Sequence, residues 1–214
     1  IIFTSKHMSQ VDFIKKHKDL YAPSSSKPSI INVPIFKFLT IDGKGNPNTS
    51  KDYKKAVEAL YSVSYTIKFM PKKGVSIPNF FEYKVGPLEG LWWMENNSDF
   101  VLENKDNWQW KMMIMQPEFV TLEVFNLALE SARKKKPNTS LDLLKLEEYN
   151  EGLAVQLMHI GPYSEEHSNI IKMHDFATSQ GYKLKGKHHE IYLGDPRKTA
   201  PEKLRTILRQ PIVK

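Results

Sequence analysis

The chain runs twice through one order of elements: an apolar strand, a turn, an amphipathic helix, a strand carrying a glutamate, and a strand ending in Gln-Pro. Gln116-Pro117 and Gln210-Pro211 mark the parallel ends. Glu89 and Gln116 are 27 residues apart and Glu190 and Gln210 are 20 apart, so the recurrence is a duplication with loop insertions, not a strict-period solenoid. This order predicts a pseudo-twofold α+β domain of antiparallel sheets covered by helices on one face.

In the first run, residues 33–41 have the apolar content of a strand, and the Asp-Gly-Lys-Gly-Asn-Pro stretch at 42–47 turns the chain. A helix capped by Thr49 or Ser50 follows, with Tyr53, Ala56, Val57, Leu60, Tyr61, Ser64 and Ile67 on one face and Pro71 just past its end. Strands are expected at 82–93, bent by its Gly-Pro and Gly, and at 108–116. Residues 121–136 read as a connecting helix stopped by Pro137. The second run predicts strands at 141–149 and 153–160, a Gly161-Pro162 turn, a helix from Ser164 to near Gly181, and strands at 188–193 and 204–212. The expected division is one domain over 33–213, with a first module at 33–120 and a second at 141–213. An N-terminal extension occupies 8–32. Residues 1–7 are expected to be an expression remnant, because Ile1 is not a start methionine and Met8 follows.

With no cysteine in 214 residues, disulfide frameworks, thiol nucleophiles and cysteine metal sites are excluded, which fits a reducing compartment. No apolar stretch approaches the ~18 residues of a membrane span, so a soluble cytoplasmic protein with no membrane partner is expected. The +7 charge invites a nucleic-acid reading, but the basic residues are scattered. The one dense run, Arg133 to Lys136, closes a helix where cations complement its dipole. No zinc-finger spacing, P-loop or dinucleotide turn is present, so no nucleic-acid partner and no cofactor are expected.

Strand alternation places His188, Glu190 and Tyr192 on one face and His189, Ile191 and Leu193 on the other. A carboxylate on a central strand is costly to bury without a partner, so Glu190 faces either a ligand or solvent. Glu89 holds the corresponding place in the first run, and two opposed carboxylates would flank one cleft. All four tryptophans lie on two consecutive strands, as core or as stacking surface for a polyaromatic ligand. Adjacent Trp92 and Trp93 face opposite sides, and Trp93 is preferred for the cleft as being in register with Glu89. Trp110, Tyr61, Tyr65 and Phe119 are placed nearby. Tyr163 follows the Gly161-Pro162 turn, flanked by His159 and His167, but no third ligand completes a metal spacing. No Ser-His-Asp arrangement or nucleophile elbow is present.

The segments HIGPYSEEH, HHEIYLGDPRKTAPEKLRTILRQP, LYSVSYTIK and YKVGPLEGLWW resemble the GyrI-like small-molecule-binding family over residues 33–213. LEGLWW and HHEIYL followed by DPRK together look like the family's stand-alone branch, whose members resemble cyclopropanoid cyclopropyl hydrolases. The resemblance implies tandem β-α-β-β modules with a ligand cleft at their junction, and a bulky aromatic small molecule as partner. It puts the family's cation-facing glutamate at Glu190. The implied activity is addition of water to the strained ring of DNA-alkylating spirocyclopropyl compounds, a detoxifying role. Glu190 or Glu89 would be the base, Tyr65, Tyr163 or Tyr192 the donor, and His159 part of the lining. Two other readings stay open: a non-catalytic multidrug-binding domain for lipophilic aromatic cations, and a gyrase-interacting inhibitor. A monomer or weak dimer is expected. The stretch before residue 33 is too short and proline-interrupted for a helix-turn-helix.

Overall fold

The computed structural model describes residues 10–94 and 105–214. Two single-turn helices, α1 (Phe13–Lys16) and α2 (Lys18–Tyr21), lead into β1 (Ser29–Val33) and β2 (Phe36–Lys44). Helix α3 (Lys51–Phe69), β3 (Leu88–Met94) and β4 (Trp108–Gln116) complete the first module. Helix α4 (Leu122–Lys135) and β5 (Lys145–Tyr149) connect to the second, made of β6 (Gly152–Ile160), α5 (His167–Ser179), β7 (Lys183–Leu184), β8 (His188–Tyr192) and β9 (Arg205–Val213).

The strands form an antiparallel sheet in the order β1-β6-β9-β8-β3-β4-β2-β5, with β7 also pairing β9. The duplication is visible in this order. Each module contributes three neighbouring strands, and the two glutamate-bearing strands, β3 and β8, pair with each other at the junction. The outer strands are exchanged: β1, adjacent in sequence to the first module, pairs β6 of the second, and β5 pairs β2 of the first. Residues ahead of position 33 are therefore built into the sheet, and Phe13, Leu20 and Tyr21 are buried in the core.

Local sequence explains the elements. Ser50 caps α3 by accepting from the Tyr53 amide, and Thr121 caps α4 by accepting from Val124. On α3 the residues Ala56, Leu60, Val63 and Ile67 are buried against the sheet. Helix α4 takes one flank of α3, where Asn138 donates to the Lys55 carbonyl at 3.0 Å and Lys136 lies 3.8 Å from Glu58. In the second module Ile170, Met173 and Ala177 of α5 pack on Val155, Leu157 and Leu208. Gly43 is required by packing, since a Cβ there would lie 2.1 to 2.6 Å from the Trp110 ring.

Three boundaries differ from expectation. The strand expected from residue 82 starts at Leu88, because Pro87 has no amide to give a ladder, and Tyr83 makes only an isolated parallel bridge with Val11. Ser164 does not cap a helix: it lies inside a 3-10 turn, Tyr163–Glu165, and α5 begins after Glu166. The strand expected from 141 opens with a second 3-10 turn, Thr139–Leu143, tightened by Asn138 accepting from the Ser140 amide at 2.9 Å.

Candidate functional site

Glu190 lies opposite Gly90 across the β3–β8 junction, on the face covered by α3 and α5. Gly90 leaves room for the Trp92 indole to lie beside it, since a Cβ there would meet Trp92 Nε1 at 2.8 Å and Met112 Sδ at 3.1 Å. The indole Nε1 donates to the Tyr192 hydroxyl at 3.0 Å, and that hydroxyl donates to Glu190 Oε2 at 2.7 Å. His188 Nε2 lies 3.4 Å from Glu190 Oε1. The result is an ordered chain from indole to phenol to carboxylate. Burial, then the Glu190 charge, pushes the Tyr192 phenol well above its ordinary range, so it remains a donor.

Aromatic walls surround this carboxylate. Tyr53 stacks on Trp92 with centroids 6.2 Å apart and meets Trp110 edge-on at 5.3 Å. Trp108 meets Trp92 edge-on at 5.4 Å. Tyr163 stands edge-on to Tyr192 at 5.6 Å, partly exposed. Burial, followed by the charges of Glu166 and Glu190, raises the Tyr163 phenol to about 12.

A second carboxyl joins Glu190 that sequence reasoning passed over. Glu166 precedes α5 and is buried, and among the described residues its Oε1 has no hydrogen-bond partner. Burial first, and repulsion from Glu190 second, raise its pKa well above the ordinary carboxylate range. Burial and a like charge nearby both favour the protonated form of Glu166. The available signal was a glutamate three residues past Tyr163 in the SEEH segment; the α-helical pattern gave no reason to bury it.

The other expected site residues are dispersed. Glu89 pairs with Ile191, one position out of step with Glu190, and faces the opposite side of the sheet. There it accepts from the Tyr21 hydroxyl at 3.0 Å and from His189 Nε2 at 3.0 Å. His189 Nδ1 lies 2.8 Å from Glu151, which also accepts from Arg209 at 3.0 Å. Burial alone would lower the His189 pKa, but Glu151 and Glu89 outweigh it and raise it to about 9. Burial is likewise outweighed at Glu151, where His189 and Arg209 hold the pKa at about 2. Arg209 also donates to the Leu20 carbonyl at 2.7 Å, so this network fastens α2 to both modules.

Trp93 shares the Glu89 face, away from Glu190, with the Lys187 ammonium 3.3 Å from its ring centroid. It is Trp92 that meets the carboxylate. Phe119 belongs to a separate cluster, 5.1 Å from both Phe80 and Phe81 and 5.7 Å from Tyr83. His159 is buried and braces the Gly161-Pro162 turn, with Nε2 3.1 Å from the Pro162 carbonyl and Nδ1 2.9 Å from the Asn169 amide. Tyr61 and Tyr65 stack on one another along α3 at 6.3 Å. Among the described residues, no three His, Asp or Glu side chains are grouped as a metal ion would require.

Paired modules that place aromatic rings and carboxyl groups under helices at their junction define a small-molecule-binding fold. The chain belongs to the GyrI-like small molecule binding domain family, which matches residues 26–213. It is similar to an uncharacterized conserved protein from Listeria innocua, at 46% identity and a TM-score of 0.89, over 95% of this chain and 100% of that one. It is also similar to two solved structures described as hydrolases from the same organism, at 42% and 43% identity and TM-scores of 0.86 and 0.88, each over 95% of this chain and 100% of the other. A comparison with curated proteins finds no match. Among the described residues no helix is long and apolar enough to cross a membrane.

Proposed function

We propose that this protein is a hydrolase that opens the cyclopropane ring of bulky spirocyclopropyl aromatic compounds by adding water, a detoxifying activity. The observation that carries the reading is the unequal carboxyl pair: Glu190, held by the Tyr192 hydroxyl at 2.7 Å, beside Glu166, whose burial and charged neighbour favour its protonated form. Glu190 takes a proton from water as the water oxygen bonds to a ring carbon. The ring C–C bond breaks, its electron pair moves into the conjugated carbonyl, and the Glu166 proton passes to that oxygen. The product is the substrate plus one water, and proton return from Glu190 to Glu166 resets the pair. Trp92, Tyr53 and Tyr163 supply the surfaces that position a flat substrate. The similarity to proteins described as hydrolases supports the same reading.

Incubation with a spirocyclopropyl aromatic compound should give a product heavier by one water, and Glu190→Gln should abolish it. Absence of that product above the buffer rate would remove the hydrolase reading. The same carboxyl pair among aromatic walls also suits a lipophilic aromatic cation held without turnover. Saturable binding of a fluorescent aromatic cation, weakened by Glu190→Gln and accompanied by no chemical change in any spirocyclopropyl compound, would favour that second reading.

A further inference from the structure

Side-chain bonds fasten the junction strands on both faces of the sheet. Strands β3 and β8 meet over five residue pairs, and Gly90 with Glu190 is the middle one. A half-turn about that pair carries Trp92 onto Tyr192 and Glu89 onto His189, in each case a hundred positions further along the chain. On the helix-covered face Trp92 donates to Tyr192 at 3.0 Å. On the other face His189 Nε2 lies 3.0 Å from Glu89 Oε2, a diagonal contact between paired strands. These two bonds staple the register from opposite sides, and Glu190 sits between them.

The proposed chemistry uses the first staple and gives the second no task. The N-terminal segment completes that second staple. Tyr21 of α2, itself buried, donates to the other oxygen of the same carboxylate, Glu89 Oε1, at 3.0 Å. Helix α2 is held in turn, because Arg209 donates to the Leu20 carbonyl at 2.7 Å and the Gln156 side-chain amide to the Asp19 carbonyl at 2.8 Å. Before α2 the segment is tied to the first module, where Val11 bridges Tyr83 and Asp12 lies 3.0 Å from Lys84. After it the Ser24 carbonyl accepts from the Met158 amide at 2.9 Å in the second. Tyr21 is thus fixed over the junction from a position ahead of the family-matched span, which begins at residue 26. A buried carboxylate gripped at both oxygens has no freedom to turn, and it passes that constraint to the imidazole next to Glu190.

We propose that Tyr21 is a positioning residue for Glu190. It fixes Glu89, Glu89 fixes His189, and His189 holds β8 one residue from Glu190, keeping that carboxylate opposite Gly90. The inference rests on the hydrolase reading of the Glu190 site and adds to it a residue on the far face of the sheet that never touches substrate. Without the Tyr21 hydroxyl the staple loosens and β8 shifts, and a reacting group misplaced by about 1 Å loses about a hundredfold in rate.

Tyr21→Phe removes the hydroxyl and leaves the ring in the core, so the variant keeps the fold. Its kcat for a spirocyclopropyl aromatic compound should fall at least about tenfold, with KM near wild type because Trp92, Tyr53 and Tyr163 still place the substrate. Phe13→Leu lies in the same segment but packs on Tyr83, away from the staple, and should lower stability while leaving kcat unchanged. Because Tyr21 acts through Glu89, adding Tyr21→Phe to Glu89→Gln should lower kcat no further. The magnetic resonance signal of the Trp92 indole N–H, on the site face, should move in Tyr21→Phe and stay in place in Phe13→Leu. An unchanged kcat or an unmoved Trp92 signal in Tyr21→Phe overturns the positioning role, as does an equal kcat loss in Phe13→Leu or independent losses from Tyr21→Phe and Glu89→Gln. If wild type forms no product, the hydrolase reading falls and the Trp92 signal alone decides the positioning role. Movement in Tyr21→Phe but not in Phe13→Leu then upholds it, and any other result ends it.

Discussion

The carboxylates of Glu89 and Glu190 lie on paired strands yet point to opposite faces of the sheet. The register explains it: Gly90 faces Glu190 and Glu89 faces Ile191, and one residue of offset in a strand reverses the side chain. Glu89 anchors a buried charge network, and Glu190 sits among aromatic rings at the junction of the modules.

This separation predicts two different phenotypes. Glu89→Gln breaks a buried ion pair with His189 and should cost about 3 kcal/mol or more of stability. Glu190→Gln should abolish turnover while changing the melting temperature far less. Thermal unfolding and activity measured side by side check it; a Glu89→Gln protein as stable as wild type would contradict the network's role.

Tyr192→Phe removes the acceptor of the Trp92 indole and a donor to Glu190 in one change. The buried indole N–H left unpaired should cost about 1 to 3 kcal/mol. Without the hydroxyl that holds it, the Glu190 carboxylate loses its fixed orientation, so kcat should fall about tenfold or more. An unchanged kcat would mean that Tyr192 does not position this carboxylate.

Trp92 and Trp93 are neighbours with unequal roles. Trp92 is buried among Tyr53, Trp108 and Tyr192, and its replacement by alanine should cost about 3 to 5 kcal/mol and destroy ligand binding. Trp93 packs partly buried against the core and carries the Lys187 ammonium over its ring, so its replacement costs stability without touching the groups around Glu190. Trp93→Ala should therefore leave affinity intact. Ligand titration of both variants decides; weakened binding in Trp93→Ala would place part of the ligand on the other face.

Stability should be greatest between about pH 4.5 and 6.5. There the raised Glu166 carboxyl, whose contribution is complete below 4.5 and is lost as pH rises toward 9, offsets the gain from His174. His189 is raised from 6.5 to about 9, so the stability it contributes is complete below 6.5 and is lost as pH rises toward 9. Glu151 is lowered from 4.5 to about 2, so its contribution is complete above 4.5 and disappears as pH falls toward 2. His174, lowered by burial and then by His188 from 6.5 to about 4, adds a loss between those values on acidification. Chemical denaturation across pH 4 to 9 measures the curve. His189→Gln should flatten its alkaline side, and an unaltered alkaline slope in that variant would exclude His189 as the source.

The amino-acid sequence by itself determined the duplicated element order, a cap for α3 at Thr49 or Ser50, the Thr121 cap, the 108–116 strand and most of the inward face of α3. These depend on interactions a few residues long, a hydroxyl reaching an amide three positions on or side chains recurring every three to four. It also named Glu190, Tyr192 and Tyr163, which the fold brings together, but alongside Glu89, Trp93 and Phe119, which it places elsewhere. What only the tertiary structure decided is the register of β3 on β8, set where two modules meet and not by either strand's own alternation. That register put Glu190 on the face of Trp92 and away from Glu89 and Trp93. The burial of Glu166 has the same origin: its neighbour Glu190 lies on another strand, brought close only when α5 packs on the sheet, and a carboxyl's proton affinity is set by such long-range neighbours and by its removal from water.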